Sequence, residues 1–299
     1  MASMAAVMSL LTFCSNEGRW GPHDELGTLN LITPAKRVEA ATLVRSGRIV
    51  SIAHDLSMDR SPANPEPVIH RMHLATSGEP IACLDSVQIS THNFALTHLD
   101  AVGHVYVAGR MYNGRRAVDA VLPTGLSACS ILAMRDGIFT RGVILDVAAT
   151  RGVEYLDSDA TVSSQDLDEA VSRTGLEVSA GDAVFVRVGL GARGAITGHQ
   201  EPAKRPGLTA EAVRWLFEHD IAVYSGDCVE QMPGPYPDLP LPLHQIGLVA
   251  MGLAILDNPD MEGLVAAASE EGRNDFLFVC SPLRIPGGTG SAVNPLAVF

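Results

Sequence analysis

The residues best suited to chemistry lie within thirteen positions, from His92 to His104. His98 and Asp100 are two residues apart, so in a strand they share a face with their Cα atoms roughly 6.6 Å apart. An imidazole and a carboxylate at this spacing suit a borderline or hard divalent cation. The segment therefore predicts a metal-dependent enzyme, although a His-x-Asp pair can also be simply hydrogen-bonded.

The two outer histidines can reach this pair only where the chain bends, because six residues of straight strand span roughly 20 Å. Gly103 offers a bend before His104. On the other side, Asn93 is the only obvious turn former beside His92. The spacing therefore makes His92 the weaker candidate for a metal ligand.

Helix and strand patterns alternate along the rest of the chain, without repeats or a low-complexity linker. Helices are predicted over 34–47, 164–174, 209–219 and 244–253, the second opened by a capping box at 163–166 and ended by Gly175. Strands are predicted over 48–54, 88–99 with an irregular middle, 142–147, 183–188, 221–225 and finally 276–280. Loops are predicted over 61–67, over the glycine-rich stretch 189–208 and as a tight turn at 287–291. The pattern indicates an α/β or α+β fold in one domain, 1–299, with a largely buried sheet.

Composition excludes several classes of function. The net charge of −13 provides no basic field for nucleic acid. The five cysteines form no Cys-x-x-Cys pair, which argues against a zinc knuckle or a thioredoxin motif. Residues 5–13 form an apolar run with no basic residue before it, too short to span a bilayer. We therefore expect a cytoplasmic protein with a small-molecule substrate and neither nucleic acid nor membrane as partner.

Several blocks of sequence resemble the metal-dependent cyclase family that includes bacterial kynurenine formamidase and isatin hydrolase. The blocks occur in the family's order at 19–25, 97–104, 111–114, 181–182, 242–244 and 282–295. The resemblance implies a compact α/β fold around a β-barrel-like mixed sheet with flanking helices, assembled as homodimers or homotetramers. It also implies a zinc- or manganese-dependent hydrolase that opens an amide or lactam bond.

The family signature, His-x-Gly-Thr-His-x-Asp-x-x-x-His, assigns roles to individual residues. It makes His98 and Asp100 metal ligands and His104 a proton carrier beside the ion. His244 matches a histidine that serves a second metal in two-metal members.

The chain departs from this signature at the first histidine, where Phe94 stands, and at the glycine, where Leu96 stands. His92, two residues earlier, is a candidate substitute ligand in a shifted loop. Asp257 stands where two-metal members have a glutamate, which favours one divalent metal and makes a second doubtful.

We expect a hydrolase in which a metal-activated water opens an amide, lactam or lactone bond and His104 transfers the proton. Two alternatives remain open at this point. One is a non-hydrolytic cyclase, dehydratase or isomerase on the same scaffold, and the other is a metal-free small-molecule-binding relative. Trp20, Tyr112 and His199 are candidate substrate-binding residues. A mixed nitrogen and oxygen ligand set is compatible with zinc or manganese.

Overall fold

A computed structural model describes residues 4–76, 78–198 and 202–299. Among these residues, nine strands form one curled mixed sheet, and six shorter or separate strands pair beside it. In chain order the strands are β1 Ile49–Ser51, β2 Ile69–Thr76, β3 Pro80–Gln88, β4 His98–Asp100, β5 Val121–Leu122, β6 Gly125–Leu126, β7 Ile138–Asp146, β8 Thr161–Val162, β9 Ala183–Arg187, β10 Gly207–Leu208, β11 Val223–Gly226, β12 Ala254–Asp257, β13 Asp275–Cys280, β14 Gly290–Ala292 and β15 Leu296–Val298.

The sheet has a parallel centre and antiparallel flanks. Its strand order is β1-β15-β13-β7-β9-β11-β12-β4-β14, and β7, β9, β11 and β12 run parallel. β4 lies antiparallel between β12 and β14. Because β4 runs in the opposite direction, its first residue lies at the edge where the parallel strands end. Ligand sites of α/β sheets commonly form at that carboxyl edge.

Helices cover the sheet and connect its strands. They are α1 Met4–Phe13, α2 Pro34–Ala41, α3 Ala117–Ala120, α4 Val147–Thr150, α5 Ser164–Thr174, α6 Leu190–Thr197, α7 Ala210–Glu218, α8 Pro242–His244, which continues as a π-helix over Gln245–Met251, and α9 Met261–Glu271. The capping box of α5 and its left-handed end at Gly175 are confirmed. Within the described ranges, no helix is long and apolar enough to cross a membrane.

Both faces of the sheet are buried, as expected for parallel strands covered by helices. All five residues of β9 are buried. Val184 and Val186 pack into a core with Trp215, whereas Phe185 packs on the opposite face against the ring of Phe276. The two cores hold the strand ends rigidly beneath the loops that follow them.

Four local predictions are wrong. The stretch 189–208 is not structureless, because it contains α6. The predicted strand 88–99 is the end of β3, a loop and the short β4. The region after 280 adds β14 and β15, which pair with distant partners and have no strong pattern of their own. The predicted helix 34–47 ends at Ala41.

Candidate metal centre and adjoining cavity

Strand register places three side chains with metal-binding groups together. Asp257 of β12 pairs with His98 of β4, so both side chains leave the same face of the sheet. Asp100 shares that face, while Leu99 between them is fully buried on the other. The His98 Nε2 atom lies 3.5 Å from Asp100 Oδ1 and 4.0 Å from Asp257 Oδ2.

The other ring nitrogen of His98 fixes the orientation of the imidazole. His98 Nδ1 lies 2.9 Å from the carbonyl oxygen of Leu96, which can only accept a hydrogen bond. The proton therefore belongs on Nδ1, and the lone pair of Nε2 faces the two carboxylates. Metal-binding histidines usually make such a hydrogen bond through their second nitrogen.

A turn at Asn93 brings His92 to the pair. The Asn93 side chain accepts a hydrogen bond from Ala95 N at 2.9 Å and donates one to the carbonyl of Ser90 at 3.0 Å. His92 Nδ1 consequently lies 3.1 Å from Asp100 Oδ1. Its Nε2 lies 2.9 Å from the hydroxyl of Thr289. The turn thus brings His92 to His98 and Asp100, although the spacing in the sequence makes it the weaker candidate for a metal ligand.

A bend after β4 brings His104 back to the cluster that contains His92. Gly103 permits the bend, because a Cβ atom there would lie only 2.7 Å from the carbonyl oxygen of Cys129. The His104 ring stacks on the His92 ring with centroids 3.6 Å apart and planes 4° apart. Burial lowers the pKa of His104 to about 4, so its imidazole is neutral at pH 7.

His244, at the start of the π-helical segment, completes the cluster from the opposite side. Its Nε2 lies 3.1 Å from Asp100 Oδ2 and 3.4 Å from Asp257 Oδ2. Its Nδ1 lies 2.7 Å from Glu230 Oε1, and the same oxygen accepts the backbone N–H of His244 at 2.8 Å. Burial alone would lower the pKa of His244, but the facing Glu230, Asp257 and Asp100 raise it well above its usual value.

Asp100 is the centre of this arrangement and lacks aligned donors. Its side chain is fully buried, and in the part of the chain that the structure describes neither oxygen receives a well-aligned hydrogen bond, although imidazole nitrogens lie 3.1 Å away. Burial alone would raise its pKa, but His244 and His92 lower it well below the usual value. A buried carboxylate with two unsatisfied oxygens is costly without a cation. The residues present therefore fit a divalent metal.

Two overlapping sets of ligands share Asp100. His92, His98 and Asp100 form one, and Asp100, His244 and Asp257 form the other, with the ligand atoms of each set within 4.8 Å of one another. Asp257 Oδ1 is a further buried oxygen for which the described ranges provide no hydrogen-bond partner. The donor set consists of imidazole nitrogens and carboxylate oxygens, which suits borderline divalent ions.

The predicted substrate residues have different surroundings. Tyr112 is fully buried and its hydroxyl donates to Asp24 at 2.8 Å, which is a packing environment. Trp20 is half-buried beneath the guanidinium of Arg19, 4.8 Å from the ring centroid. His199 lies outside the described residues. Their roles toward substrate stay predictions.

A cavity of about 340 Å³ is lined by chain neighbours of this cluster, although none of the metal-binding side chains described above is part of its wall. Asn258, which follows Asp257, and Phe94, which precedes β4, both line it. Its remaining wall includes residues of α6 and α9 and the basic side chains Arg193, Lys204 and Arg205. Its volume is at the small end of the roughly 300–1,000 Å³ typical of small-molecule sites.

Two residues of the site carried little sequence signal. Glu230 lies in a polar stretch without a recognisable motif, and it contacts His244 because the loop after β11 folds back on α8. Arg205 was one basic residue in a stretch predicted to be a loop. Its neighbours Phe94 and Asp257 are distant in the chain, so only tertiary structure assembles them.

Comparisons with known proteins agree with this architecture. The family model described as "Putative cyclase" matches residues 34–230. A crystal structure described as a novel cyclase superposes with a TM-score of 0.83 and 25% identity, covering 95% of this chain and 99% of that one. No curated protein sequence matches the chain.

Solved isatin hydrolases share the fold at lower identity. The enzyme from Labrenzia aggregata, bound to benzyl benzoate, gives a TM-score of 0.61 at 21% identity over 86% of this chain and 94% of its own. The enzyme from Ralstonia solanacearum gives 0.58 at 23% identity over 84% and 91%. Because the family model matches about two thirds of the chain, the chain belongs to the Cyclase family.

Proposed function

We propose that this protein is a metal-dependent hydrolase that opens an amide, lactam or lactone bond of a small molecule. The observation that carries the proposal is Asp100, whose two buried, unsatisfied oxygens face three imidazoles and a second carboxylate. The fold shared with solved isatin hydrolases supports a hydrolytic reaction. Within the broader class, an amidohydrolase acting on a C–N bond is the activity that we favour.

His98, Asp100, His92 and His244 would hold the ion, with Asp257 as a further ligand. A bound divalent ion would polarise the substrate carbonyl and lower the pKa of water from 15.7 toward about 7. Zinc and manganese both accept this donor set.

Residues around the metal-binding side chains would hold them in position and transfer the proton of the attacking water. Glu230 holds the His244 ring through Nδ1, and the Leu96 carbonyl holds the His98 ring in the same way. His104 is neutral at pH 7, so it can accept a proton from water at the centre and return it to the leaving nitrogen or oxygen. Its stacking on His92 keeps it beside the ligands.

The proposal can be tested with protein that is stripped of metal and then reloaded with Zn²⁺ or Mn²⁺. The substrates are formanilide, isatin and a γ-lactone, each assayed in ¹⁸O-labelled water. We expect turnover only after reloading, with one solvent oxygen incorporated into the acid that each hydrolysis releases. His98→Ala should abolish it, whereas the exposed control His23→Ala should not. Absence of turnover on all three bond types, or products without solvent oxygen, would contradict hydrolysis; unlabelled products would favour a cyclase, dehydratase or isomerase.

A further inference from the structure

The cavity of about 340 Å³ is lined by basic side chains that lack an ion-pair partner among the described residues. Arg193, Lys204 and Arg205 line it, and none of the three forms an ion pair with a described residue. Lys204 is exposed, whereas Arg205 is half-buried. The exposed Phe94 lines the same cavity.

The carboxylates of the same cavity are already engaged by other groups. Asp227 accepts hydrogen bonds of 2.7–2.9 Å from three successive backbone N–H groups before and at the start of α6. Glu262 binds the guanidinium of Arg187 through both oxygens. Asp260 caps α9 by accepting from Gly263 N at 3.0 Å. These carboxylates therefore already have partners, whereas the basic side chains of the cavity have no ion-pair partner among the described residues.

Arg205 is the most constrained of the three cations. Its backbone pairs with Met232 through two hydrogen bonds. Its Nε atom is buried and has no hydrogen-bond partner among the described residues, although Asp257 and Glu230 act on the guanidinium electrostatically. A buried donor left unsatisfied is costly, and the cost is recovered when a ligand accepts from it.

Phe94 positions this guanidinium. The Arg205 Cζ atom lies 4.1 Å from the centroid of the Phe94 ring. The Asn258 side-chain amide donates to the Phe94 carbonyl and fixes the loop against the end of β12. Phenylalanine cannot bind a metal, but its ring supports a stacked guanidinium whose N–H donors remain available in the plane of the group.

We propose that Arg205, positioned by Phe94, binds a carboxylate carried by the substrate. This inference rests on the proposed function, because the bound anion is a substrate only if the protein is a hydrolase. It narrows the substrate class to small acyl compounds that also bear a carboxylate. Arg guanidinium groups bind carboxylates through two parallel hydrogen bonds. Arg193 and Lys204 would add to the positive potential that attracts an anion.

A binding experiment tests Arg205 without requiring turnover. The probes are 4-fluorobenzoate and its neutral counterpart 4-fluorobenzamide, titrated by ¹⁹F NMR into stripped and zinc-reloaded protein. We expect the carboxylate to bind stripped protein at least tenfold more tightly than the amide. Arg205→Met should weaken carboxylate binding about 10- to 100-fold and leave amide binding unchanged.

Two variants serve as references. Arg205→Lys keeps the charge but loses the planar donors, so we expect an intermediate loss. Arg116→Met removes an exposed arginine outside the cavity and should change nothing. Carboxylate binding that requires zinc and ignores Arg205→Met would place the anion on the ion and overturn the proposal. Equal binding of the two probes, or no binding of either, would also overturn it.

Kinetics separate this inference from the proposed hydrolysis. With N-formylanthranilate and formanilide as matched substrates, we expect the anionic member to have the higher kcat/KM. Phe94→Leu should raise KM for that member alone and leave kcat unchanged, as expected for a positioning residue. If neither compound is hydrolysed and the isatin and γ-lactone assays also show no turnover, the proposed function fails while the binding result still decides the role of Arg205.

Discussion

Asp100 illustrates what residue types and spacing can and cannot predict. Alternation in a strand was enough to pair it with His98, and the resemblance added His104. The low expectation for His92 came from the length of a straight strand, and the side-chain turn at Asn93 removes that objection. Glu230 and Arg205 could not be placed, because their partners are brought near them only by the folded chain.

The proton-transfer role of His104 can be separated from metal binding. We expect His104→Ala to keep its full metal content and lose about a hundredfold in kcat, because the histidine stacks on the ligand His92 but belongs to neither ligand set. Elemental analysis and steady-state kinetics measure the two quantities, with His23→Ala as control. Unchanged kcat would remove His104 from the chemistry, and lost metal would make it a ligand.

At the scale of the element, β14 supports the metal centre through backbone pairing. Gly290 lies opposite Asp100 in the β14–β4 register. The sequence showed this region as a tight glycine turn, because a three-residue strand has too little pattern to be recognised. Strand pairing with β4, distant in the chain, determines its conformation.

Gly290→Ala should disturb the centre through His92. A Cβ atom at position 290 would lie 2.8 Å from His92 Cε1 and 2.9 Å from the Leu99 carbonyl oxygen, so the ring must move. We expect metal affinity to fall about tenfold or more, measured by competition with a chromogenic chelator. Gly247→Ala is the matched control, since its Cβ would make contacts of ordinary length. Equal affinity in both variants would contradict this role of β14.

The capping box of α5 predicts a pH-dependent contribution to stability. Burial alone would raise the pKa of Asp166, but hydrogen bonds from Arg151 and Ser163 outweigh it, so the folded-state pKa lies below the unfolded value. The stabilisation is therefore present above about pH 4 and is lost as the pH falls through the folded-state pKa.

Urea unfolding of Asp166→Asn measures this contribution. We expect the substitution to lower the free energy of unfolding by about 1 kcal/mol at pH 7, and by less as the pH falls toward 3.5. Glu218→Gln, which removes an exposed ion pair with Arg214, should cost less at either pH. If wild type and Asp166→Asn differ in free energy of unfolding by the same amount at every pH, the electrostatic origin is contradicted.

At the scale of the whole molecule, the α/β architecture was predictable because apolar strands alternate with capped helices, whereas the curled mixed sheet was implied only by the resemblance to the cyclase family. The β2–β3 hairpin was not predicted. All residues of β3 are exposed, and Met72, Leu74, Ile81 and Leu84 are each more than half exposed. A two-stranded hairpin alone is at best marginally stable in water.

We therefore expect the hairpin to pack against a second copy of the chain, in line with the predicted homodimer or homotetramer. Light scattering coupled to size-exclusion chromatography measures the oligomeric state. Leu74→Asp together with Leu84→Asp should shift it toward monomer, whereas Val38→Asp, at an exposed position on α2, should not. A monomeric wild-type protein would contradict the prediction.

The central claim is that His98 and Asp100 bind a common divalent cation with help from His92, His244 and Asp257. The most direct measurement is an anomalous difference map, recorded at the metal absorption edge, from crystals of protein prepared without chelators. We expect a peak in contact with His98 Nε2 and an oxygen of Asp100. Crystals that show no peak there, even after soaking with zinc or manganese, would contradict the account.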